Sequence, residues 1–246
     1  MLKIIVNGAC GRMGKELIRL IGEDENLVLL ASVDKFASED GIYKNLCDVK
    51  EKGDIIIDFS NHESCAELCG YAKDTRTALV VATTGHTDKE KEIISDTAKV
   101  VPVFYSANMS LGVALLAELA KKTAALFPNA DIEIIEKHHN RKLDAPSGTA
   151  LLLAEKIKTV RENALFKLGR SGNAKRETNE IGIHAVRAGN IVGEHEIIVC
   201  TDSQTITLKH EAHTRALFAE GAIAAAKFLS GVKDAGLYNM NAMLED

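Results

Sequence analysis

The chain has 246 residues, 46% of them hydrophobic, which suits one large domain or two small ones with a real core. A net charge of −5, no long run of Lys or Arg, no Trp and only 4% aromatic residues argue against nucleic acid or an anionic membrane surface as partner. The N-terminus predicts no signal peptide, no apolar run reaches membrane-span length, and five cysteines without a C-x-x-C pair predict reduced thiols in a cytoplasmic protein.

The first ~105 residues alternate strand and helix signals. Leu2–Asn7 is an apolar, β-branched run that predicts a buried strand, followed by a glycine-rich turn and a helix through Met13–Ile21. Leu27–Val33, Asp54–Phe59, Ala78–Ala82 and Val100–Tyr105 are four further strands. Capping-box patterns at Ser60-Asn61-His62-Glu63 and Thr87-Asp88-Lys89-Glu90 predict helix starts after the third and fourth strands. Cys65 and Cys69 stand at helical spacing and suit one core-facing stripe better than a metal site. Such an alternation predicts a parallel, doubly wound, Rossmann-like sheet.

The pattern changes near Asn108. Gly112–Leu126 is an Ala/Leu-rich helix and Asp131–Glu136 alternates as a strand. A polar loop and a helix capped by Ser147 follow. Ile181–Val186, the turn Gly189-Asn190, Glu194–Thr201 and Gln204–His210 predict β-hairpins in an open, mostly antiparallel sheet of α+β type. The Ala-rich helix Thr214–Leu229 is expected to return to the first domain. The α/β chain then divides into a discontinuous domain, 1–107 plus 214–246, and an inserted one, 108–213.

Gly8-Ala9-Cys10-Gly11-Arg12-Met13-Gly14 lies between the first strand and the first helix. Glycines there let the chain turn tightly and bring phosphates against backbone N–H groups at a helix start. Asp34 ends the second strand, twenty residues after Gly14, where a carboxylate accepts ribose hydroxyls. Lys35 and Arg12 could instead pair with a 2′-phosphate, so the residues leave NADH and NADPH both open. Ala82-Thr83-Thr84 and Ser106-Ala107-Asn108-Met109 end the fourth and fifth strands, where doubly wound sheets bind ligands.

The segment from Glu136 to Ala150 places His138, His139, Arg141 and Lys142 just before a helix start at Gly148-Thr149. Cationic side chains beside free helical N–H groups describe a pocket for an anionic substrate. Adjacent strand residues point to opposite faces, so the two histidines are poorly placed to share a metal ion, and none is expected. A solvated basic surface and structural histidines are the alternatives for this loop.

Five stretches together resemble the 4-hydroxy-tetrahydrodipicolinate (dihydrodipicolinate) reductase family: Gly8–Gly14, Thr83–Gly85, Ala107–Val113, Glu136–Ala150 and Val186–His195. The resemblance runs through nearly the whole chain, with departures at Cys10, Ala82 and Met109. It implies reduction of a cyclic imine-type dicarboxylate to tetrahydrodipicolinate with NADH or NADPH, in lysine and diaminopimelate synthesis, by a homotetramer. His138 would be the proton donor/acceptor and Lys142 a partner donor, with His139, Gly148 and Thr149 on the substrate. Gly8, Ala9, Cys10, Gly11, Arg12, Met13, Asp34, Lys35, Ala82, Thr83, Thr84, Ser106, Ala107, Asn108 and Met109 would line the cofactor. The competing readings are a reductase of another amino-dicarboxylate and a redox-sensing dinucleotide-binding regulator; the latter needs a DNA-binding helix pair and a basic face, and neither is visible in the sequence.

Overall fold

A computed structural model describes residues 1–244. In chain order the elements begin β1 (Leu2–Asn7), α1 (Arg12–Glu23), β2 (Leu27–Val33), β3 (Ile42–Tyr43), β4 (Ile55–Asp58), α2 (Cys65–Thr75), β5 (Ala78–Val81), α3 (Asp88–Ala98) and β6 (Pro102–Tyr105). They continue α4 (Leu111–Leu126), β7 (Asp131–His138), α5 (Gly148–Lys158), β8 (Leu165–Leu168), β9 (Glu180–Arg187), β10 (Gly193–Cys200), β11 (Thr205–Ala212), α6 (Ala216–Gly231) and β12 (Gly236–Tyr238). The chain divides into two compact units, Met1–Ser110 with the chain from Arg215 onward, and Leu111–Thr214. Among the described residues no helix is long and apolar enough to cross a membrane.

The first unit holds a seven-stranded sheet in the order β12-β6-β5-β4-β1-β2-β3, with every pairing parallel. The middles of its central strands are apolar on both sides because helices cover both faces. Ile4, Ile5 and Val6 of β1 and Ile55, Ile56 and Ile57 of β4 are all buried. Ile5, Ile56, Leu79, Val81 and Val103 pack with Leu68, Cys69 and Ala72 of α2 and Ile94 of α3. Cys65 and Cys69 are free thiols inside this layer, 4.0 Å apart on one face of α2. α6 packs beside α1 through small residues, and a Cβ at Gly221 would collide with the Met109 carbonyl. β1 has β2 on one side and β4 on the other, so chain direction through the sheet reverses there and opens a crevice at the carboxyl ends.

Of the two expected capping boxes, one forms and the other is replaced. The Thr87–Glu90 capping box forms as expected. At the other start the cap is Asn61, whose side chain accepts the Glu63 N–H, because the Ser60 hydroxyl is engaged by Asp58.

The second unit holds a five-stranded sheet in the order β11-β10-β7-β9-β8. It is mixed rather than mostly antiparallel: β11/β10 and β10/β7 are antiparallel, β7/β9 and β9/β8 parallel. β10 and β11 form the expected hairpin. The Gly189-Asn190 turn closes none, because β7 lies between β9 and β10. α4 and α5 pack on one face, through Leu116, Ala120, Leu153 and Ile157 against Ile132, Ile134, Ile181, Ile183, Ile197 and Val199.

Strand register decides what lies beyond that core. Ile134 pairs with Ile183 and Ile197; two residues on, Glu136 pairs with Ala185 and His195. His138, two further, pairs with Arg187. The face that buries isoleucines at one end therefore carries Glu136, His195, His138 and Arg187 at the other.

Candidate active site

In the first unit the glycine turn has the shape of an anion cradle. Gly8 sits at φ +84°, and a Cβ there would lie 2.5 Å from the Phe59 carbonyl oxygen. A Cβ at Gly14 would collide with the Gly8 carbonyl. Gly11 is the N-cap of α1 and no side chain caps that helix, which leaves its first N–H groups for a ligand. Asp34 braces the turn: its carboxylate accepts the Cys10 N–H at 2.9 Å and the Phe36 N–H at 3.0 Å. Lone pairs remain on both oxygens for ribose hydroxyls. Burial, and then the charge of Asp34, push the Cys10 thiol up. Arg12 and Lys35 are exposed, Ala9 is buried and Met13 half-buried.

The other two segments lie at the ends of β5 and β6. Ala82 and Thr83 are buried and Thr84 is exposed. The Thr83 hydroxyl donates to Asp58 at 2.6 Å and so is committed inside the protein. Ser106 and Asn108 close a tight loop: the Ser106 hydroxyl donates to the Asn108 carbonyl at 2.7 Å, and the Asn108 side chain accepts the Ser110 N–H at 2.9 Å. Ala107 is exposed and Met109 buried.

Beneath these segments lies a group that the sequence reading overlooked. Asp58 ends β4 and is buried, and it accepts from Asn7 at the end of β1 (2.8 Å), from the Ser60 hydroxyl (2.5 Å) and from Thr83. Burial pushes its carboxyl up, against the opposing hydrogen bonds from Ser60, Thr83 and Asn7. One buried side chain thus ties together the carboxyl ends of β1, β4 and β5.

The second unit gathers the other predicted residues. His138 ends β7 and is buried, with Nδ1 2.5 Å from Glu136 Oε2. Glu136 has no exposed surface; it also accepts two N–H groups of Arg187, at 2.7 and 2.8 Å, and the Ser147 N–H at 3.0 Å. Ser147 caps α5 by accepting the Ala150 N–H, and its hydroxyl lies 3.1 Å from His195 Nε2. His195 packs edge-on against His138, ring centroids 5.2 Å apart. Burial, and then the charge of His138, push His195 down to about 4, so it is neutral near pH 7.

His139 follows the strand, and its carbonyl accepts the Lys142 N–H. The Lys142 ammonium lies 2.7 Å from Asp144, whose carboxyl it holds below the usual range. Gly148 is exposed and Thr149 half-buried in the first turn of α5. His138, His139, Lys142, Gly148 and Thr149 thus stand at the junction of β7, its loop and α5. The cofactor candidates all stand on the other unit. Among the described residues no group of three His, Cys, Asp or Glu side chains is placed to hold a metal ion.

The model of the N-terminal domain of dihydrodipicolinate reductase matches residues 2–109, and that of its C-terminal domain residues 112–244. The chain belongs to the dihydrodipicolinate reductase family. The 4-hydroxy-tetrahydrodipicolinate reductase of Clostridium novyi is 44% identical, over 100% of this chain and 99% of that one. That of Caldanaerobacter subterraneus subsp. tengcongensis is 43% identical, with the same coverage. Among solved structures, a dipicolinate-bound dihydrodipicolinate reductase from Paenisporosarcina sp. TG-14 superposes with a TM-score of 0.83 at 26% identity, covering 98% of this chain and 99% of that one. DAP dehydrogenase of C. glutamicum, 12% identical with a TM-score of 0.59, shares the fold. The reductase is an NAD(P)H-dependent oxidoreductase, and its N-terminal domain is the dinucleotide-binding one.

Proposed function

We propose that the chain is a 4-hydroxy-tetrahydrodipicolinate reductase that converts a cyclic imine-type dicarboxylate to tetrahydrodipicolinate in the cytoplasm, for lysine and diaminopimelate synthesis. The dipicolinate held by the Paenisporosarcina protein supports a dicarboxylate ligand. When bound, NADH or NADPH supplies a hydride. The cradle Gly8–Met13, with Asp34, Lys35, Ala82, Thr83, Thr84 and Ser106–Met109, holds and orients the dinucleotide. Thr83 acts there through its backbone, since its hydroxyl is engaged by Asp58.

The second unit binds substrate. His139 and the N–H groups of Gly148 and Thr149 receive a carboxylate at the α5 N-terminus. His138 gives the proton that must follow hydride addition, and Lys142 stabilises negative charge or donates. The observation that carries this reading is His138 itself. Its Nδ1 is held by a buried carboxylate, its Nε2 has no hydrogen-bond partner among the described residues, and a lysine and a helix start stand beside it. Residues 1–107 with 214–246 form the dinucleotide domain, and the second unit's sheet assembles a homotetramer.

Following nicotinamide oxidation with the freshly generated heterocyclic substrate tests the reading. The wild-type chain turns over, and His138→Ala and Lys142→Ala each lose about 10²–10⁴-fold in kcat. Near-wild-type turnover in either variant removes that residue from the chemistry. Turnover only with a different imine dicarboxylate replaces the substrate.

A further inference from the structure

The proton-transfer role above uses His138 but leaves its buried partners unassigned. Burial alone would raise the Glu136 carboxyl, yet the hydrogen bonds from Arg187, His138 and Ser147 outweigh it and hold the group below the usual range, ionised. An ionised carboxylate only accepts, so the His138 nitrogen facing it carries the proton. The neutral ring is then the Nδ1–H tautomer, with its lone pair on Nε2. Gly193 on β10 keeps that atom open, since a Cβ there would stand 3.1 Å from it. Arg187 is anchored apart from the histidine, because it also donates to the Asp144 carbonyl at 2.6 Å.

We propose that Glu136 and Arg187 are positioning residues for His138: Glu136 accepts from Nδ1 and fixes the Nδ1–H tautomer, and Arg187 holds Glu136 in place and balances its charge. The inference rests on His138 being the acid–base group. The groups facing His138 are Glu136 on its own strand, Arg187 on β9, His195 on β10 and the capped start of α5 at Ser147. His210 on β11 stands behind His195, and the Lys142–Asp144 pair lies in the adjoining loop. His195 is neutral near pH 7 and the Lys142–Asp144 pair is charge-balanced, which leaves Glu136 and Arg187 as the opposed charges.

That opposition distinguishes positioning from packing. In Glu136→Gln the favourable charge is gone and the Arg187 cation remains, so the His138 midpoint falls. In Arg187→Met the carboxylate is unopposed and the midpoint rises. A nearby charge moves a titration by about one to three pH units.

The experiment is ¹⁵N NMR of the full-length, histidine-labelled protein across pH, alongside kcat/KM against pH. The expected wild-type spectrum shows His138 as the Nδ1–H tautomer. Glu136→Gln moves the midpoint and the matching limb of the kcat/KM profile down, and Arg187→Met moves both up. Arg187→Lys, which keeps the charge, stays near wild type. Shifts of the same sign in Glu136→Gln and Arg187→Met, or an Nε2–H tautomer in the wild type, overturn the proposal. Should Glu136→Gln not fold, Arg187→Met against Arg187→Lys decides, and equal midpoints in those two overturn it. A His138→Ala variant with full turnover removes the acid–base reading while the NMR shifts stand. An inactive His138→Ala with unmoved midpoints in folded Glu136→Gln and Arg187→Met removes the positioning role alone.

Discussion

Replacing Asp58 separates the worth of its hydrogen bonds from the cost of its charge. In Asp58→Asn the amide oxygen can take the place of Oδ1 and accept from Asn7 and Ser60. The new NH₂ then faces the Thr83 hydroxyl, 2.6 Å from Oδ2 at present, which can turn and accept. The Thr83 O–H is then left to the residue 58 carbonyl at 3.5 Å, but a buried charge disappears; the two effects oppose, so the expected stability change at pH 7 is within about 1 kcal/mol of zero. In Asp58→Ala, Asn7 keeps only the Ser60 hydroxyl at 3.2 Å, and Thr83 only a 3.5 Å contact to the residue 58 carbonyl. Two weakly paired buried donors at about 1–3 kcal/mol each give a loss of about 2–6 kcal/mol. The sign with pH follows from the raised carboxyl: the folded protein holds this proton more tightly than the unfolded chain. The contribution is therefore complete below the ordinary Asp range, about pH 4, and is lost as pH rises through the folded value. Asp58→Asn removes that dependence, so its stability relative to wild type should improve upward from about pH 4. Urea unfolding at several pH values, with dinucleotide affinity by fluorescence titration, measures both. Equal losses for Asn and Ala, or a wild-type pH slope retained in Asp58→Asn, would refute the pairing scheme.

His195 supplies a second pH dependence of opposite sign. With its folded value pushed down to about 4, its stability contribution is complete above about pH 6.5 and is lost as pH falls towards 4. His195→Gln should flatten that part of an acid denaturation curve, and an unchanged curve would mean that the ring charges freely in the fold. For the cofactor, Asp34 favours free ribose hydroxyls, while exposed Lys35 and Arg12 favour a 2′-phosphate. A surface ion pair contributes about 0–1 kcal/mol and tenfold discrimination needs about 1.4, so NADH and NADPH should differ by no more than about tenfold in kcat/KM. Lys35→Ala should weaken NADPH alone, and a wild-type preference above about a hundredfold would place the choice in another residue. Light scattering at micromolar concentration should give a tetramer mass, since the second unit's sheet carries half-exposed Glu133, Ile135, Lys137, Glu196 and Ile198 opposite its helices; a monomer mass would remove the assembly.

The first unit was legible because its signals are local. An apolar strand, a glycine turn and a capped helix each follow from a few adjacent residues, and five predicted strands lie within two residues of the observed ones. The elements that were missed are short or weakly patterned: Ile42–Tyr43 has two residues, Gly236–Tyr238 three, and Leu165–Leu168 is mostly exposed. In the sequence Asp58 is one more residue of the strand Asp54–Phe59. Its meaning depends on Asn7 and Thr83, which parallel pairing brings together from 51 and 25 residues away.

The second unit shows where local reading stops. Alternation along β7 was visible, and period two already places Glu136 and His138 on one face, so the carboxylate partner was readable from the residues. Arg187, Gly193 and His195 were not, because their relation to His138 depends on which strands are neighbours. The sequence suggests that Ile181–Val186 and Glu194–Thr201 pair across Gly189-Asn190, a pairing that would leave β7 outside them. Inserting β7 between β9 and β10 instead gives it a partner on each side. Arg187 then meets Glu136 from one flank, and Gly193 and His195 meet His138 and Ser147 from the other. With β9 and β10 paired to each other, β7 could neighbour only one of them, and Glu136 and His138 would have either Arg187 or the pair Gly193 and His195 beside them, not both. The non-local strand order is thus what converts an isolated histidine at a strand end into one whose Nδ1 is fixed and whose Nε2 is open.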